Sequence, residues 1–235
     1  MTLYESSDHL GGNLLPAGAH DFKAEMNELN AWYQSQLRRQ DVAVRLNTRA
    51  DAKSIKKAAP DAVILATGAD PVMPPVPGIE KAIECVSALT GTTVGQNVVV
   101  VGGGLVGCET ALGYAREGKT VTIVEALPDI LSAGIKVPVM NDQMLRDLLD
   151  EAGVTIRTGC RLSAIGEGTV TVTTERGEET ILADSVVLAV GFRSRKDLAD
   201  ELTDSGLEVY QIGDGNKVGN VMTAIDTAHT VARSL

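Results

Sequence analysis

Three glycines at the end of an apolar run are the residues of this chain best suited to bind a nucleotide. Residues 97–101 are an asparagine and four valines, as expected of a strand buried on both faces of a parallel sheet. The turn that follows consists of Gly102, Gly103, Gly104, Leu105, Val106 and Gly107. In the G-x-G-x-x-G spacing, the glycines permit a tight bend, a close approach to a pyrophosphate and close helix packing. The spacing therefore predicts that a diphosphate binds the free N–H groups at the start of a helix.

An acid follows at the distance that a dinucleotide fold requires. A helix-like stretch and a second strand lead from the turn to Glu125, which lies 21 positions beyond Gly104. At this place a dinucleotide fold has the carboxylate that accepts both hydroxyls of the adenine ribose. The alternative is a glycine-rich turn with an unrelated surface acid. Because Glu125 would repel a 2′-phosphate and residues 126–128 supply no cation, the sequence favours NAD(H) over NADP(H).

The chain contains an internal repeat with a period of about 120 residues. Residues 2–5 return as residues 122–125, and residues 61–68 return as residues 184–191. The repeat makes Glu5 the counterpart of Glu125, with a plain surface acid as the alternative. The glycine turn of the first copy would fall before Met1. The first unit is therefore expected to lack its N-terminal strand, turn and helix.

The expected fold class is α/β, with two Rossmann-like dinucleotide-binding units built on parallel sheets. Residues 1–80 and 192–235 would form a truncated FAD- or ADP-binding domain, into which an NAD(H)-binding domain of residues 91–191 is inserted. Because the missing strand is normally a central one, the first unit is expected to have two unpaired edges. A neighbouring chain or a shifted strand would then fill the gap, or the first unit would be partly disordered; the first of these makes an oligomer one possible state.

Local patterns predict further elements. Asp21 is expected to cap a helix through Gln40, and Gly153 to end an amphipathic helix that begins near Met140. Residues 70–78 contain four prolines and are expected to be a connector, followed by a short linker helix or a turn at residues 82–90. A β-hairpin is expected at residues 169–182 and a terminal helix at residues 221–235.

The composition excludes several classes of partner. The 235 residues carry a net charge of −10 with a pI near 4.8, so no nucleic-acid partner is expected. The apolar runs are too short to span a bilayer and the chain does not begin like a signal peptide, so a cytoplasmic protein is expected. Cys85, Cys108 and Cys160 form no C-x-x-C pair, and the histidines show no ligand spacing. No dithiol centre and no metal site are therefore expected, and no side chain is assigned as a catalytic acid, base or nucleophile.

The motifs together resemble those of flavoprotein pyridine-nucleotide oxidoreductases. The resemblance rests on Tyr4-Glu5 with residues 10–14, on residues 66–69, on residues 101–104 with Glu109, and on residues 212–214. The order of these motifs is most similar to the C-terminal half of NADH:flavin oxidoreductases of the 2,4-dienoyl-CoA reductase and trimethylamine dehydrogenase type. Nearly the whole chain takes part in this resemblance.

The resemblance implies a set of cofactor contacts. NADH would be bound by the glycine turn, Glu125 and Gly191. FAD would be bound through its ribose by Glu5 and elsewhere by Gly11, Gly12, Asn13, Leu14, Thr67, Gly68 and Asp214, with residues 222–225 near the flavin. In trimethylamine dehydrogenase-like relatives ADP takes the place of FAD. Arg193 and Arg195 would either reach an NAD phosphate or be solvated charges.

The resemblance also implies partners that this chain does not contain. Electrons would pass from NADH to FAD, and then through an iron–sulfur centre to FMN in a separate N-terminal barrel, where an enoate- or dienoyl-CoA-like substrate is reduced. This chain would be the cofactor segment of that longer polypeptide. A non-catalytic ADP- or NAD-binding module and part of a ferredoxin or rubredoxin reductase are the alternatives.

Overall fold

A computed structural model describes all 235 residues and divides the chain into two compact units. The first unit comprises Met1–Asp70 and Arg193–Leu235, and the second unit is Pro71–Phe192. None of the helices is long and apolar enough to cross a membrane.

The first 71 residues form four short strands and three helices. These are β1 (Thr2–Tyr4), α1 (Leu14–Ala17), α2 (Glu25–Arg39), β2 (Ala43–Arg45), α3 (Ala52–Ala58), β3 (Ala62–Leu65) and β4 (Ala69–Pro71). The predicted start of α2 is wrong, because Asp21–Lys23 is a separate 3-10 turn and the helix begins at Glu25 without a side-chain cap.

The middle of the chain alternates strands and helices. Its elements are β5 (Ile83–Glu84), α4 (Cys85–Leu89), β6 (Asn97–Val101), α5 (Leu105–Arg116), β7 (Thr120–Val124), α6 (Val139–Glu151), β8 (Thr155–Arg157), β9 (Arg161–Ile165), β10 (Thr169–Thr174), β11 (Gly177–Leu182) and β12 (Ser185–Leu188). The predicted linker helix at residues 82–90 is a two-residue strand followed by the short helix α4.

The last segment adds two strands and three helices. They are β13 (Phe192–Ser194), α7 (Asp197–Leu202), β14 (Glu208–Gln211), α8 (Gly213–Asn216) and α9 (Val221–Ser234). Strands β4 and β13 pair with each other and carry the chain from one unit to the other.

The second unit is built on a five-stranded parallel sheet in the order β5-β12-β6-β7-β8. Its central strand β6 contains the run of valines, and residues 98–101 are at most 5% exposed. Such complete burial requires apolar side chains on both faces, which is why the strand does not alternate with polar residues. An antiparallel sheet in the order β11-β10-β9 forms a second layer of this unit. The predicted hairpin is therefore part of a three-stranded meander.

The first unit has two parallel strand pairs in place of one continuous sheet. Strand β1 pairs with β2, and β3 pairs with β14. The internal repeat aligns β1 with β7 and β3 with β12, and in the second unit β6 lies between those two strands. No strand of the first unit occupies the corresponding place between β1 and β3. The expected α/β fold, with two Rossmann-like units of which the first is discontinuous, is confirmed.

The gap leaves the first unit with a small core. Its buried apolar cluster contains four residues, namely Ala52, Ile55, Leu65 and Leu202. Large apolar side chains on its strands remain exposed: Tyr4 on β1 by 45%, Val44 on β2 by 37% and Ile64 on β3 by 40%. The first unit thus buries much less apolar surface than the second, although the two are similar in length.

Candidate functional site

The glycine turn between β6 and α5 has no room for side chains at its two ends. Gly102 has a φ of +111°, and a Cβ on it would lie 2.3 Å from the carbonyl oxygen of Ala189. A Cβ on Gly107 would lie 1.9 Å from the carbonyl oxygen of Gly102. These approaches are shorter than any real contact, so only glycine permits this packing of the turn against the sheet and helix.

The middle glycine of the turn faces open space. Gly104 is the N-cap residue of α5, with extended backbone (φ −72°, ψ −179°) and no side-chain cap. A Cβ on it would meet nothing within 4 Å. The first amides of a helix have no intrahelical acceptor, so the N–H groups of Leu105 and Val106 are free to bind an anion. These free amides form a cradle of donors of the kind that binds a pyrophosphate.

Glu125 connects the end of β7 to this cradle. The side chain is 8% exposed; its Oε2 accepts a 2.6 Å hydrogen bond from the N–H of Gly103, and its Oε1 accepts one of 2.7 Å from the N–H of Leu127. A carboxylate oxygen has two lone pairs, so each oxygen retains one for a ribose hydroxyl. The acid therefore both fixes the glycine turn and offers two acceptors beside it.

The arginine on the strand next to Glu125 is occupied elsewhere. The carbonyl oxygen of Arg157 on β8 accepts a hydrogen bond from the N–H of Glu125, whereas its guanidinium pairs with Glu179 on β11. Residues 126–128, which follow the acid, have no positive charge. The surroundings of Glu125 thus provide two hydroxyl acceptors and no cation for a 2′-phosphate.

Gly191 follows β12 close to the same turn. The carbonyl oxygen of Ala189, two residues earlier, is the atom that approaches Gly102, and the N–H of Ala189 donates to the carbonyl of Val101. Gly191 has a φ of +100°, and a Cβ on it would meet no atom within 4 Å. The C-terminal ends of β6, β7 and β12 therefore lie at one edge of the sheet, where they are followed by the glycine turn, Glu125 and Gly191.

Glu5, at the end of β1, has one oxygen anchored and one open. Its Oε1 accepts hydrogen bonds from the N–H and hydroxyl of Ser7, at 2.8 and 2.9 Å, and from the hydroxyl of Ser6 at 3.3 Å. Partial burial raises the pKa of Glu5, but these donors outweigh burial, so the pKa lies below its ordinary value. The carboxylate is charged at neutral pH, and its Oε2 is available to a ribose.

The segment after Glu5 folds back on α2. A Cβ on Gly11 (φ +131°) would lie 2.5 Å from the side-chain nitrogen of Asn30, whereas Gly12 (φ +48°) faces open space. Asn13 precedes the four-residue helix α1, which begins at Leu14, and it makes no side-chain cap. The positive φ angles explain the glycine pair, and of the two only Gly12 leaves room for a ligand.

Two glycine turns approach each other in the first unit. A Cβ on Gly215 would lie 3.1 Å from the hydroxyl oxygen of Thr67 and 3.4 Å from the amide nitrogen of Gly68. The Oδ1 of Asp214 accepts a 2.9 Å hydrogen bond from the N–H of Gly219. The structure thus places the turn after β3 beside the turn after β14, as expected for two parallel neighbours with ends at the same edge.

Arg195 is paired with residues of the first unit. Its Nε donates to Asp70 at 2.7 Å, its guanidinium also donates to the carbonyl of Thr67, and Asp70 raises the pKa of Arg195. Its positive charge also acts on Glu5, so Arg195 belongs to the surroundings of the first unit's acid. It is half-exposed, and its guanidinium is paired with Asp70 and the carbonyl of Thr67.

The loop at residues 129–131, which carries no motif, contacts the glycine turn of the second unit. The N–H of Leu131 donates to the carbonyl of Gly103 at 2.7 Å, and Ile130 packs so closely on Gly103 that a Cβ there would lie 2.8 Å from its methyl carbon. Arg146 on α6 holds Asp129 and Ile130 in place. The pairing partners are 17 positions apart, so no local spacing pattern reveals them.

The three cysteines are buried and free. Burial raises the pKa of the Cys85 thiol to about 11 and that of Cys108 to about 12. Cys160 belongs to the apolar core of the second unit. Their surroundings are those of small core residues, as expected from the sequence.

A parallel sheet with an open glycine turn at its central strand and an acid at the next strand defines a dinucleotide-binding protein of the Rossmann class. The chain belongs to the pyridine nucleotide-disulphide oxidoreductase family, whose model matches residues 19–223. The resemblance to NADH:flavin oxidoreductases seen in the sequence is confirmed. Members of this family are oxidoreductases that use FAD and NAD(H).

Similar proteins match the chain along its whole length. Cinnamate reductase of Clostridium sporogenes is 40% identical over 238 residues, which cover 100% of this chain and 36% of that protein. NADH oxidase of Thermoanaerobacter brockii is 38% identical over 99% of this chain and 37% of that protein. The structure of 2-naphthoyl-CoA reductase in complex with 2-naphthoyl-CoA has a TM-score of 0.92 and 30% identity, covering 100% of this chain and 36% of the other. The chain therefore spans little more than a third of the length of these relatives.

Proposed function

We propose that this chain is the cofactor-binding segment of a flavin-dependent NADH oxidoreductase and that it holds NADH for hydride transfer to FAD. The glycine turn of the second unit carries the proposal, because Gly104 opens it toward solvent while Glu125 fixes it. When bound, these cofactors supply the chemistry: a hydride leaves C4 of the nicotinamide and N5 of the flavin accepts it. The protein contributes orientation and exclusion of water, and no side chain is proposed as an acid, base or nucleophile.

In the second unit we propose that three groups of residues contact different parts of NADH. The amides at the start of α5, with Gly102 to Gly107, bind the pyrophosphate. Glu125 accepts the two hydroxyls of the adenosine ribose, with both oxygens already oriented by backbone donors. Gly191, whose missing side chain leaves open space after β12, borders the other half of the dinucleotide. These residues fit NADH better than NADPH because no free cation stands beside the acid.

In the first unit the residues present fit part of FAD. Glu5 offers its Oε2 to the adenosine ribose, and Gly12, Asn13 and Leu14 follow in a loop open to a ligand. Gly11 supplies the bend of that loop rather than a contact. Thr67, Gly68 and Asp214 form the adjoining edge of the proposed site. The contacts that these residues offer suit an adenosine diphosphate as well as FAD, which shares that part.

The gap between β1 and β3 supports a place for this chain within a longer polypeptide. Each strand has one partner, and each has an edge free for a further parallel strand. We place a strand and glycine turn of the rest of the polypeptide there, which would bury Tyr4 and Ile64 and complete the phosphate cradle for FAD. An FMN and iron–sulfur barrel is the proposed electron acceptor, and an enoate- or dienoyl-CoA-like compound the proposed substrate. A cytoplasmic location stays a prediction.

Analysis of the bound nucleotide tests this proposal directly. Protein purified without added cofactor is denatured, and the released nucleotides are separated and identified. A yellow protein that releases FAD and loses its visible flavin absorbance on addition of NADH supports the proposed transfer. Colourless protein that binds NADH and cannot be loaded with FAD would instead support a nucleotide-binding module without turnover. Such a module is the second candidate, because the phosphate cradle of the first unit is incomplete.

A further inference from the structure

The guanidinium of Arg146 makes four hydrogen bonds in the second unit. Its Nη1 and Nη2 donate to the two oxygens of Asp129 at 2.9 and 3.1 Å, and its Nε donates to Asp142 at 2.5 Å. Nη2 also donates to the carbonyl oxygen of Ile130 at 2.9 Å. A bidentate arginine–carboxylate pair fixes the relative orientation of the two side chains as well as their distance. A lysine cannot reproduce this geometry.

The segment that Arg146 holds lies directly against the glycine turn. Asp129 accepts a hydrogen bond from the N–H of Ile130, and Ile130 is only 2% exposed. Leu131 has a φ of +57°, a left-handed backbone that a non-glycine residue adopts only when its surroundings enforce it. In that conformation its N–H reaches the carbonyl of Gly103 at 2.7 Å. The strained residue therefore directs a hydrogen bond to the turn.

Both backbone polar groups of Gly103 are therefore hydrogen-bonded. Its N–H donates to Glu125, and its carbonyl accepts from the N–H of Leu131 and from the thiol of Cys108 at 3.4 Å. The adjoining Gly104 accepts a hydrogen bond from the N–H of Cys108 in the first turn of α5, and nothing surrounds the position of its absent side chain. The orientation of the open amides at the start of α5 thus depends on the contacts that fix Gly103.

The first unit contains an equivalent arrangement, which supports a common role. The offset of 120 positions between Glu5 and Glu125 places Leu10 opposite Ile130. The carbonyl of Leu10 accepts hydrogen bonds from Asn30 at 3.3 Å and Gln34 at 3.4 Å, both on α2, the first long helix after that acid. In both units a polar side chain of the first long helix after the acid reaches back to the carbonyl five residues after the acid.

We infer that Arg146 is a positioning residue for nucleotide binding: through Asp129 and Ile130 it enforces the backbone of Leu131, which holds Gly103 and the amides of α5 ready for a pyrophosphate. The inference rests on the proposed NADH site of the second unit. Arg146 does not contact the nucleotide in this arrangement. Its effect arises because a preorganised turn loses less conformational freedom on binding than a loose one.

The test compares Arg146→Met with the matched control Arg157→Met. Both arginines are about 30% exposed and paired with an acid, but only Arg146 contacts the loop at residues 129–131. Calorimetry is expected to show roughly tenfold weaker NADH binding for Arg146→Met, and less than about a twofold change for Arg157→Met. Arg146→Lys is expected to restore only part of the affinity, because it keeps the charge and loses the paired donors.

Amide exchange of the ligand-free protein separates this inference from the proposed function. The N–H groups of Leu131 and Gly103 are expected to exchange faster in Arg146→Met and not in the control. Equal protection and equal NADH affinity in wild type and Arg146→Met would overturn the inference while leaving the NADH site intact. A wild type that does not bind NADH would overturn the proposed function, and the exchange rates would still decide whether Arg146 holds the turn. If Arg146→Met does not fold, Asp129→Asn with Glu179→Gln as its control tests the same contacts.

Discussion

The carboxylate of Glu125, which follows strand β7, accepts a 2.6 Å hydrogen bond from the backbone N–H of Gly103, 22 positions earlier in the glycine turn. This hydrogen bond connects the two sequence motifs, the glycine turn and the acid after β7. The acid that offers acceptors to a ribose also sets the position of the turn that offers amides to a pyrophosphate. A change at Glu125 should therefore affect both halves of the binding site.

Substitutions at Gly104 and Gly107 should differ in their effect on the free energy of unfolding. Gly104→Asp fits the open space and provides an N-cap for α5, so the free energy of unfolding should change little or rise by up to about 1 kcal/mol. The new charge would repel the pyrophosphate and weaken NADH binding more than about a hundredfold. Gly107→Ala should instead destabilise the protein by about 1 to 3 kcal/mol, because its Cβ would overlap the carbonyl of Gly102. Denaturant unfolding and calorimetry measure the two quantities, and a destabilised Gly104→Asp variant would contradict the geometry.

The titration of Asp129 should report its pairing with Arg146. The hydrogen bonds from Arg146 lower the pKa of Asp129 below its ordinary value of 3.8. Because the pKa is lower in the folded protein than in the unfolded chain, the pairing stabilises the fold above the unfolded pKa and is lost as the pH falls through the folded pKa. A carboxyl-carbon NMR titration should show a midpoint below 3.8 in wild type and near 3.8 in Arg146→Met. Identical midpoints would show that the pair is not formed in solution.

Hydrogen exchange should differ between the two units. Amides of β6, β7 and β12 lie in a continuous sheet over a large core, whereas β1, β2, β3 and β14 form separate pairs over a buried cluster of four apolar residues. The strands of the first unit are expected to exchange at least about tenfold faster in this chain. Mass spectrometry of peptic fragments measures both sets at once. Uniform protection in a monomer would mean that the first unit is completed in a way not seen here.

The cysteines should be inert in the folded protein. Burial raises the pKa values of Cys85 and Cys108 to about 11 and about 12, so at mildly alkaline pH neither presents the thiolate that reacts with a disulfide reagent. Cys160 is only 5% exposed. All three thiols should react in denaturant and none in its absence. Rapid labelling of one cysteine in the native protein would indicate local opening at that residue.

Much of the fold follows from the sequence because its signals are local or repeated. The valines of β6 and the glycines after it specify a buried strand and a helix start within a dozen residues, and the repeat aligns the two units. The start of α2 could not be placed, since Asp21 resembles a cap although the chain first makes a 3-10 turn. Helix α7 was not expected, because no strong periodic pattern marks its six residues.

The geometry of the glycine turn follows from the sequence where residue type alone determines it. Gly102 and Gly107 are required by the close packing of the turn, and Glu125 at its fixed spacing accepts from the N–H of Gly103, whereas their contacts with a nucleotide stay predictions. The role of Arg195 depends on Asp70, 125 positions earlier, and that of Arg146 on Asp129. Such pairs are created by the folded chain, so spacing along the sequence gives no indication of them.

Calorimetric titration of NADH into the protein is the most direct test of the proposed dinucleotide site. Wild type should bind one NADH in the second unit and bind NADPH at least about tenfold more weakly, and Glu125→Gln should weaken NADH binding by a similar factor or more. Glu117→Gln, at the exposed far end of α5, should have no effect. Absence of NADH binding to folded wild-type protein, or equal affinities for wild type and Glu125→Gln, would contradict the proposal.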